Sequence, residues 1–128
     1  MADDVGEVTV MFCDICDFTD VVNQCQDQII NILDEVFRAF DKICQDEGVQ
    51  KIETVGKTYM ACGGIKSHEN SLSESKKTHN PTQRIVNVSK RMMAWIKTFE
   101  YSENKSLKLK IGVHYGSCIL GLLGFHKP

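Results

Sequence analysis

Residues 8–20 have the sequence VTVMFCDICDFTD, in which an apolar run gives way to three aspartates. The first seven residues are rich in β-branched and aromatic side chains, so they predict a strand covered on both faces. Asp14 then lies at the end of that strand, where a short loop begins. A carboxylate there can hold Mg²⁺ while loop N–H groups and a hydroxyl cradle phosphates, or it can be a turn-forming Asp. Spacing alone leaves both interpretations open.

The same stretch contains a C-x-x-C pair, Cys13 and Cys16. A zinc ribbon needs a second such pair, and a thioredoxin-type pair needs a helix N-terminus at its first cysteine; the sequence supplies neither. Strand residues three apart point to opposite faces, so ordinary packing is favoured over thiol or zinc chemistry. The six cysteines are scattered, mostly beside apolar stretches, which indicates a reduced, cytoplasmic interior. The four histidines lack paired spacing and are expected to be structural or solvated.

Helix and hairpin patterns follow the opening stretch. Apolar residues at three- and four-residue steps predict a long amphipathic helix over 26–46, with Gly48 as its stop. Two short strand-like runs, 49–54 and 58–62, form a hairpin whose turn contains a glycine and carries Lys57 at its tip.

The second half of the chain repeats the alternation of helix and strand. Helical spacing resumes over 82–101, alternation over 107–115 predicts a strand with one wet face, and a turn at Gly116-Ser117 is expected to lead into a strand over 118–123. Segment 66–81 has a single large apolar residue, so we expect a mobile loop within one domain spanning 1–128. This order predicts an α+β fold with helices on one face of a mostly antiparallel sheet.

Composition limits the partners. The chain has 15 basic and 17 acidic residues and no basic cluster beyond a Lys pair, which argues against nucleic-acid binding. No apolar run reaches the roughly 18 residues of a membrane span and no signal-peptide pattern opens the chain. We therefore expect a cytoplasmic domain, attached to a membrane only through segments outside this chain.

Three motifs resemble those of class III nucleotidyl cyclases. The opening stretch resembles the family's first metal motif, QKIETVGKTYMACGGI (50–65) resembles its second, and LKIGVHYGSCILGLLG (109–124) resembles its later hairpin. They occur in the family's order and cover nearly the whole chain. The resemblance implies a ferredoxin-like α+β fold that works as a head-to-tail dimer, either a homodimer or a pseudo-heterodimer.

The resemblance also implies a reaction and its residues. In the family the 3′-hydroxyl of a nucleoside triphosphate attacks its own α-phosphate on two Mg²⁺ or Mn²⁺ ions, and pyrophosphate leaves. Glu53 corresponds to the residue that accepts hydrogen bonds from guanine in guanylyl cyclases, which indicates GTP as substrate and cyclic GMP as product. The remaining matches are Asp14 and the Ile15 carbonyl as catalytic metal ligands, and Cys16, Asp17, Phe18 and Thr19 as the triphosphate loop.

Three departures from the family pattern limit what one chain is expected to do. Lys57 replaces the second metal aspartate, Asp17 replaces the glycine of the phosphate loop, and a later Asn-x-x-Ser-Arg motif is absent, so the chain resembles a C-terminally truncated domain. The pattern resembles the base-reading half of a paired cyclase, whose partner half holds most of the metal ligands. We expect the isolated chain to be inactive. The alternative is a catalytically silent cyclase-like domain that serves dimerisation or regulation.

Overall fold

The structure is a computed structural model that describes residues 4–119, with side chains described for 7–117. Four strands form the main sheet in the order β2-β3-β1-β6, and every pair in it is antiparallel. None of the described helices is long and apolar enough to cross a membrane. The elements are β1 (Asp4–Ile15), α1 (Phe18–Gln24), α2 (Ile29–Glu47), β2 (Gln50–Val55), β3 (Thr58–Gly63), α3 (Lys66–Ser71), a 3₁₀ turn (Lys76–Thr78), α4 (Pro81–Ile96), the short β4 (Glu100–Ser102) and β5 (Lys105–Ser106), and β6 (Leu109–Ile119).

The two faces of β1 have different surroundings. Met11, Cys13 and Ile15 are buried in the main core, which α2 and α4 close from one side. On the other side Val8 and Val10 join a smaller buried cluster, but Phe12 is 45% exposed. The prediction that β1 is covered on both faces is therefore wrong at its C-terminal end, because the helices pack on one side only. We call the uncovered side, which carries Phe12, the exposed face.

The predicted first long helix is confirmed with shifted ends. Its predicted start at residue 26 is wrong, because the shorter α1 ends at Gln24 and three turn residues precede α2. The predicted stop is correct: Gly48 caps α2 at φ 75°, a left-handed conformation that glycine adopts at little cost. The predicted hairpin is observed as β2 and β3, which places Lys57 in its turn.

The second helix is shorter than predicted. It begins at Pro81, with the Asn80 side chain accepting from the Gln83 N–H, and it ends at Ile96 rather than at residue 101. Thr98 donates its hydroxyl to the Trp95 carbonyl, which competes with the helical ladder. Phe99 stacks on Trp95 at 5.2 Å between ring centroids, so its helical spacing reflects packing just beyond the helix.

Two further predictions are corrected. Segment 66–81, expected to be a mobile loop, contains α3 and the 3₁₀ turn, so the loop assignment is wrong; its mobility stays a prediction. The turn expected at Gly116-Ser117 is absent from the described residues, because both belong to β6 and pair with β1. Of the strand predicted over 118–123, residues 120–123 lie outside the described part of the chain.

Candidate active site

The strand register brings Asp14 next to the β2–β3 hairpin. Asp14 pairs with Thr58 across the β1–β3 ladder, and the Thr58 hydroxyl donates to Asp14 Oδ1. Lys57 Nζ lies 3.6 Å from Asp14 Oδ2. On its other side Asp14 is directly opposite Lys110 of β6, within reach of a cross-strand charge interaction. Both oxygens of the Asp14 carboxylate therefore face a donor or cation of this chain.

This arrangement does not fit a pair of divalent ions. Carboxylate and carbonyl oxygens are the ligands that Mg²⁺ prefers, whereas a lysine ammonium repels a cation. Lys57 supplies such an ammonium where a second carboxylate is needed, and no group of three potential metal-binding His, Cys, Asp or Glu side chains occurs in the described residues. The residues present would have to lose the Asp14–Lys57 contact before Asp14 and the Ile15 carbonyl held a metal ion.

A backbone hydrogen bond joins the loop after Asp14 to the segment just before β6. The Cys16 N–H donates to the Lys108 carbonyl at 2.8 Å. Asp17 adopts φ 52° and ψ 38°, and its carbonyl accepts the first backbone bonds of α1. Left-handed backbone is the conformation that glycine adopts most readily, which gives a physical reason for glycine in the pattern that this loop resembles. Phe18 packs against the core, and Thr19 is exposed.

Glu53 lies on the same sheet face as Asp14 but not beside it. In β2 it pairs with Met60, and Met60 pairs with Phe12 of β1, so these three side chains form a row across the exposed face. Asp14 belongs to the neighbouring row, two strands away. Strand spacing and rise put the Cα atoms of Glu53 and Asp14 about 12 Å apart. One chain thus brings together Asp14, Lys57 and the loop, and leaves Glu53 separate.

The cysteines of the C-x-x-C pair support the packing interpretation. Burial, followed by the charge of Asp14, raises the pKa of the Cys13 thiol to about 12. Cys13 is therefore a neutral thiol at physiological pH, and a neutral thiol is neither a nucleophile nor a metal ligand. Cys16, by contrast, is only partly buried.

Sequence reasoning missed three residues around Asp14: Thr58, Lys110 and Phe12. Thr58 and Lys110 touch or face Asp14 only because β1 pairs with both β3 and β6. The alternation over 107–115 did place Lys110 on the wet side of a strand. Without the order of the strands, that pattern did not indicate which carboxylate Lys110 would face.

The structure combines a four-stranded antiparallel sheet, helices packed on one side of it, and an Asp at the end of an inner strand beside a hairpin, as the resemblance to class III cyclases predicts. The protein-family model for the adenylate and guanylate cyclase catalytic domain matches residues 1–128, so the chain belongs to that family. The predicted family and fold class are thereby confirmed.

Curated relatives of the chain include guanylate cyclases. The chain is 31% identical over 124 residues to the receptor-type guanylate cyclase gcy-1 of Caenorhabditis elegans, with 94% of the chain and 10% of that protein covered. It is 32% identical over 124 residues to the guanylate cyclase soluble subunit alpha-1 of Bos taurus, with 96% of the chain and 17% of that subunit covered. The chain thus spans less than a fifth of either relative.

Solved structures agree on the fold. The non-canonical dimeric guanylyl cyclase domain of the RhoGC fusion protein from Blastocladiella emersonii superposes with a TM-score of 0.77 at 24% identity, covering 92% of this chain and 61% of that one. The guanylate cyclase domain of RhGC from Catenaria anguillulae, solved in complex with GTP, gives 0.73 at 26% identity, covering 91% and 59%. The adenylyl cyclase CyaB from P. aeruginosa gives 0.75 at 21% identity, covering 93% and 60%.

Proposed function

We propose that this chain is the guanine-reading half of a paired guanylyl cyclase that converts GTP to cyclic GMP and pyrophosphate. The observation that carries the proposal is the position of Glu53, a hydrogen-bond acceptor on the exposed face in the row of Met60 and Phe12. The one metal aspartate, Asp14, is neutralised by the ammonium of Lys57 in the same chain. A symmetric pair of such chains would hold divalent ions poorly at both sites. A complementary half with both aspartates would then hold the Mg²⁺ or Mn²⁺ ions.

Glu53 is the residue that reads the base. A carboxylate accepts hydrogen bonds and cannot donate them, so it can pair with the N1–H and N2–H groups of guanine but not with the N1 acceptor of adenine. Glu53 is half-buried on the exposed face, next to Met60 and Phe12, where a base could lie against apolar side chains. In a head-to-tail pair this residue would reach a nucleotide whose phosphates lie on the partner half.

The loop that would contact the triphosphate, residues 16–19, contributes less to the proposed paired site. In a paired site the two metal ions supply activation of the attacking 3′-hydroxyl and stabilisation of the leaving pyrophosphate. Here Asp17, at the start of α1, adds a negative charge that repels a triphosphate. This end of the chain would face the second, metal-poor site of the pair.

The test is a nucleotide preference measured in the complete paired enzyme. Glu53→Lys should lower GTP turnover and admit ATP, because a lysine can donate to adenine N1 and repels the guanine donors. Thr54→Lys is the matched control, since Thr54 lies on the same strand but pairs with Tyr59 on the helix-covered face. An unchanged preference for GTP in Glu53→Lys would remove Glu53 from the site.

A second candidate is a catalytically silent regulatory or dimerisation domain, and Lys57 with Asp17 favours it. Binding separates the two candidates. If this chain reads guanine, backbone NMR shifts around Glu53 should saturate with GTP and not with ATP in its complete paired form. Saturation by neither nucleotide there would favour the silent domain.

A further inference from the structure

Strand β2 has one residue more than the stretch of β3 with which it pairs. Lys51 pairs with Ala61, and Glu53 pairs with Met60. Ile52 between them is therefore an extra residue, which makes a β-bulge. In a regular strand Lys51 and Glu53 would share a face, because side chains two residues apart point the same way. The bulge separates them: Glu53 lies on the exposed face, and Lys51 lies on the helix-covered side with Ala61, a residue of the main core.

Two contacts on the helix-covered side hold Lys51 there. Its Nζ lies 3.2 Å from Oδ1 of Asp41 on α2. The same Nζ lies 5.7 Å from the centroid of the Tyr59 ring, within the range of a cation–π contact. Tyr59 is fully buried and donates its hydroxyl to Asp41 Oδ1 at 2.7 Å. Asp41 therefore joins α2 both to Lys51 of β2 and to Tyr59 of β3.

Ile52 anchors the bulge from the other side of the sheet, where it packs against the smaller buried cluster that includes Val8 and Val10. A slip of one residue at the start of β2 would exchange the two anchors: Ile52 would turn to the helix-covered side, and Lys51 would turn to the exposed face. Lys51 would then stand two residues from Glu53 on one face, with about 6.6 Å between their Cα atoms. A lysine side chain is long enough to pair with a carboxylate at that spacing.

The Glu53 carboxylate has no ion-pair partner among the residues that the structure describes. It is half-buried, so a cation beside it would be screened less by water than one on an open surface. An acceptor that is paired with an ammonium must give up that contact before it accepts from the N1–H and N2–H groups of guanine. The absence of a neighbouring lysine therefore favours base binding by Glu53.

We propose that Asp41 is a positioning residue for base reading: by holding Lys51 on the helix-covered side, it keeps the Glu53 carboxylate free to accept hydrogen bonds from guanine. This inference rests on the proposed function, because it takes Glu53 as the residue that reads the base. Asp41 lies on the other side of the sheet from Glu53, so it acts through Lys51. The effect of removing the charge of Asp41 should therefore depend on whether Lys51 is present.

The first test is GTP kinetics in the complete paired enzyme. Asp41→Asn keeps the size of the side chain and an acceptor for the Tyr59 hydroxyl, but it removes the charge that holds Lys51. It should raise the KM for GTP about threefold with kcat unchanged, because a competing ion pair weakens base binding without touching the reacting phosphate. In a Lys51→Met background, Asp41→Asn should not change the KM, since no cation remains to compete. The matched control is Asp34→Asn, which breaks an exposed ion pair with Arg38 on the same helix.

The second test needs no nucleotide and uses the 128-residue chain. An NMR NOE between the ε-methylene of Lys51 and the γ-methylene of Glu53 should be absent in the unmutated chain and present in Asp41→Asn. Its absence in Asp41→Asn would overturn the inference. An equal rise in the KM with and without Lys51 would also overturn it, because Asp41 would then act on the fold alone. Failure of the proposed function is recognised separately: Glu53→Lys would leave the GTP preference unchanged while the NOE still appears in Asp41→Asn.

Discussion

At the scale of single residues, Lys57 decides what the Asp14 site can bind. We expect Lys57→Asp to increase the affinity of the chain for Mn²⁺, because it replaces an ammonium 3.6 Å from Asp14 with a second oxygen ligand. Without metal the same change should lower stability, since two carboxylates would face each other. Lys57→Met is the control that removes the charge without adding a ligand. Calorimetry with Mn²⁺ that shows no gain for the aspartate variant would contradict this account of the site.

The backbone conformation of Asp17 has a measurable cost in stability. Its φ of 52° lies in the left-handed region, where a side chain is disfavoured. We expect Asp17→Gly to raise the free energy of unfolding by about 0.5–1 kcal/mol, and Asp17→Ala to lower it by a similar amount. Asp17→Asn keeps the tolerance for this conformation and removes the charge, so it separates the two effects. Urea titration measures all three; a destabilised glycine variant would argue that Asp17 makes a contact worth more than the strain.

The residue scale also shows what the sequence could predict about the site. Asp14 and Glu53 were identified because each stands inside a recognisable motif. Thr58 and Lys110 were missed because their contact or pairing with Asp14 depends on strand register. A motif defines the residue that does the chemistry, whereas its neighbours on other strands come from tertiary pairing.

At the scale of elements, a buried ion pair orders the segment that sequence analysis assigned to a loop. Arg84 is only 2% exposed; one guanidinium nitrogen donates to the Gly48 carbonyl at 2.8 Å, and the other pairs with Glu69 of α3. The loop was predicted from the low apolar content of segment 66–81 alone. That prediction did not include this ion pair, because its two residues lie fifteen positions apart in the sequence. Helix ends were misplaced for a related reason: local hydrogen bonds, such as that of Thr98, end a helix while its apolar spacing continues.

We expect the contacts of Arg84 with Glu69 and the Gly48 carbonyl to stabilise the fold. Arg84→Met should lower the free energy of unfolding by about 2–4 kcal/mol, because it leaves Glu69 and the Gly48 carbonyl without their partner. Arg38→Met is the matched control: its pair with Asp34 is exposed on both sides, so its loss should cost less than about 0.5 kcal/mol. Equal effects in chemical denaturation would mean that the buried pair does not hold α3 in place.

His68 of α3 is expected to make the stability of the fold depend on pH. Burial, with a smaller contribution from Arg84, lowers the pKa of His68 from its usual 6.5, and Glu69 opposes the shift. The unfolded chain then binds a proton that the folded chain does not, so stability is complete above pH 6.5 and falls as the pH drops below it. Denaturation midpoints over this range should decline less in His68→Gln than in the exposed control His79→Gln. An identical decline in both would assign the pH dependence to other groups.

At the scale of the whole molecule, the two sides of the sheet are used differently. The helix-covered side has the core and, at its edge, the half-exposed Val113 of β6; the exposed face has Asp14, Glu53 and Phe12. Alternation over 107–115 predicted a strand with one wet face, and the order of the elements predicted that helices would cover one face of the sheet. Neither indicated that β6 would be left partly bare, because that depends on how far two helices of this length and position reach across four strands.

We predict that this chain pairs with a second cyclase domain through the exposed face. Phe12 is 45% exposed between Met60 and Gly112, so Phe12→Glu should leave the fold intact and abolish association with a cyclase domain that has both metal aspartates. Met93→Glu is the matched control, since Met93 is 40% exposed on the opposite side of the sheet. Sedimentation of the mixed domains measures association, and circular dichroism checks the fold. If Met93→Glu disrupts pairing and Phe12→Glu does not, the partner half binds on the helix-covered side, and Glu53 then faces solvent rather than a shared nucleotide site.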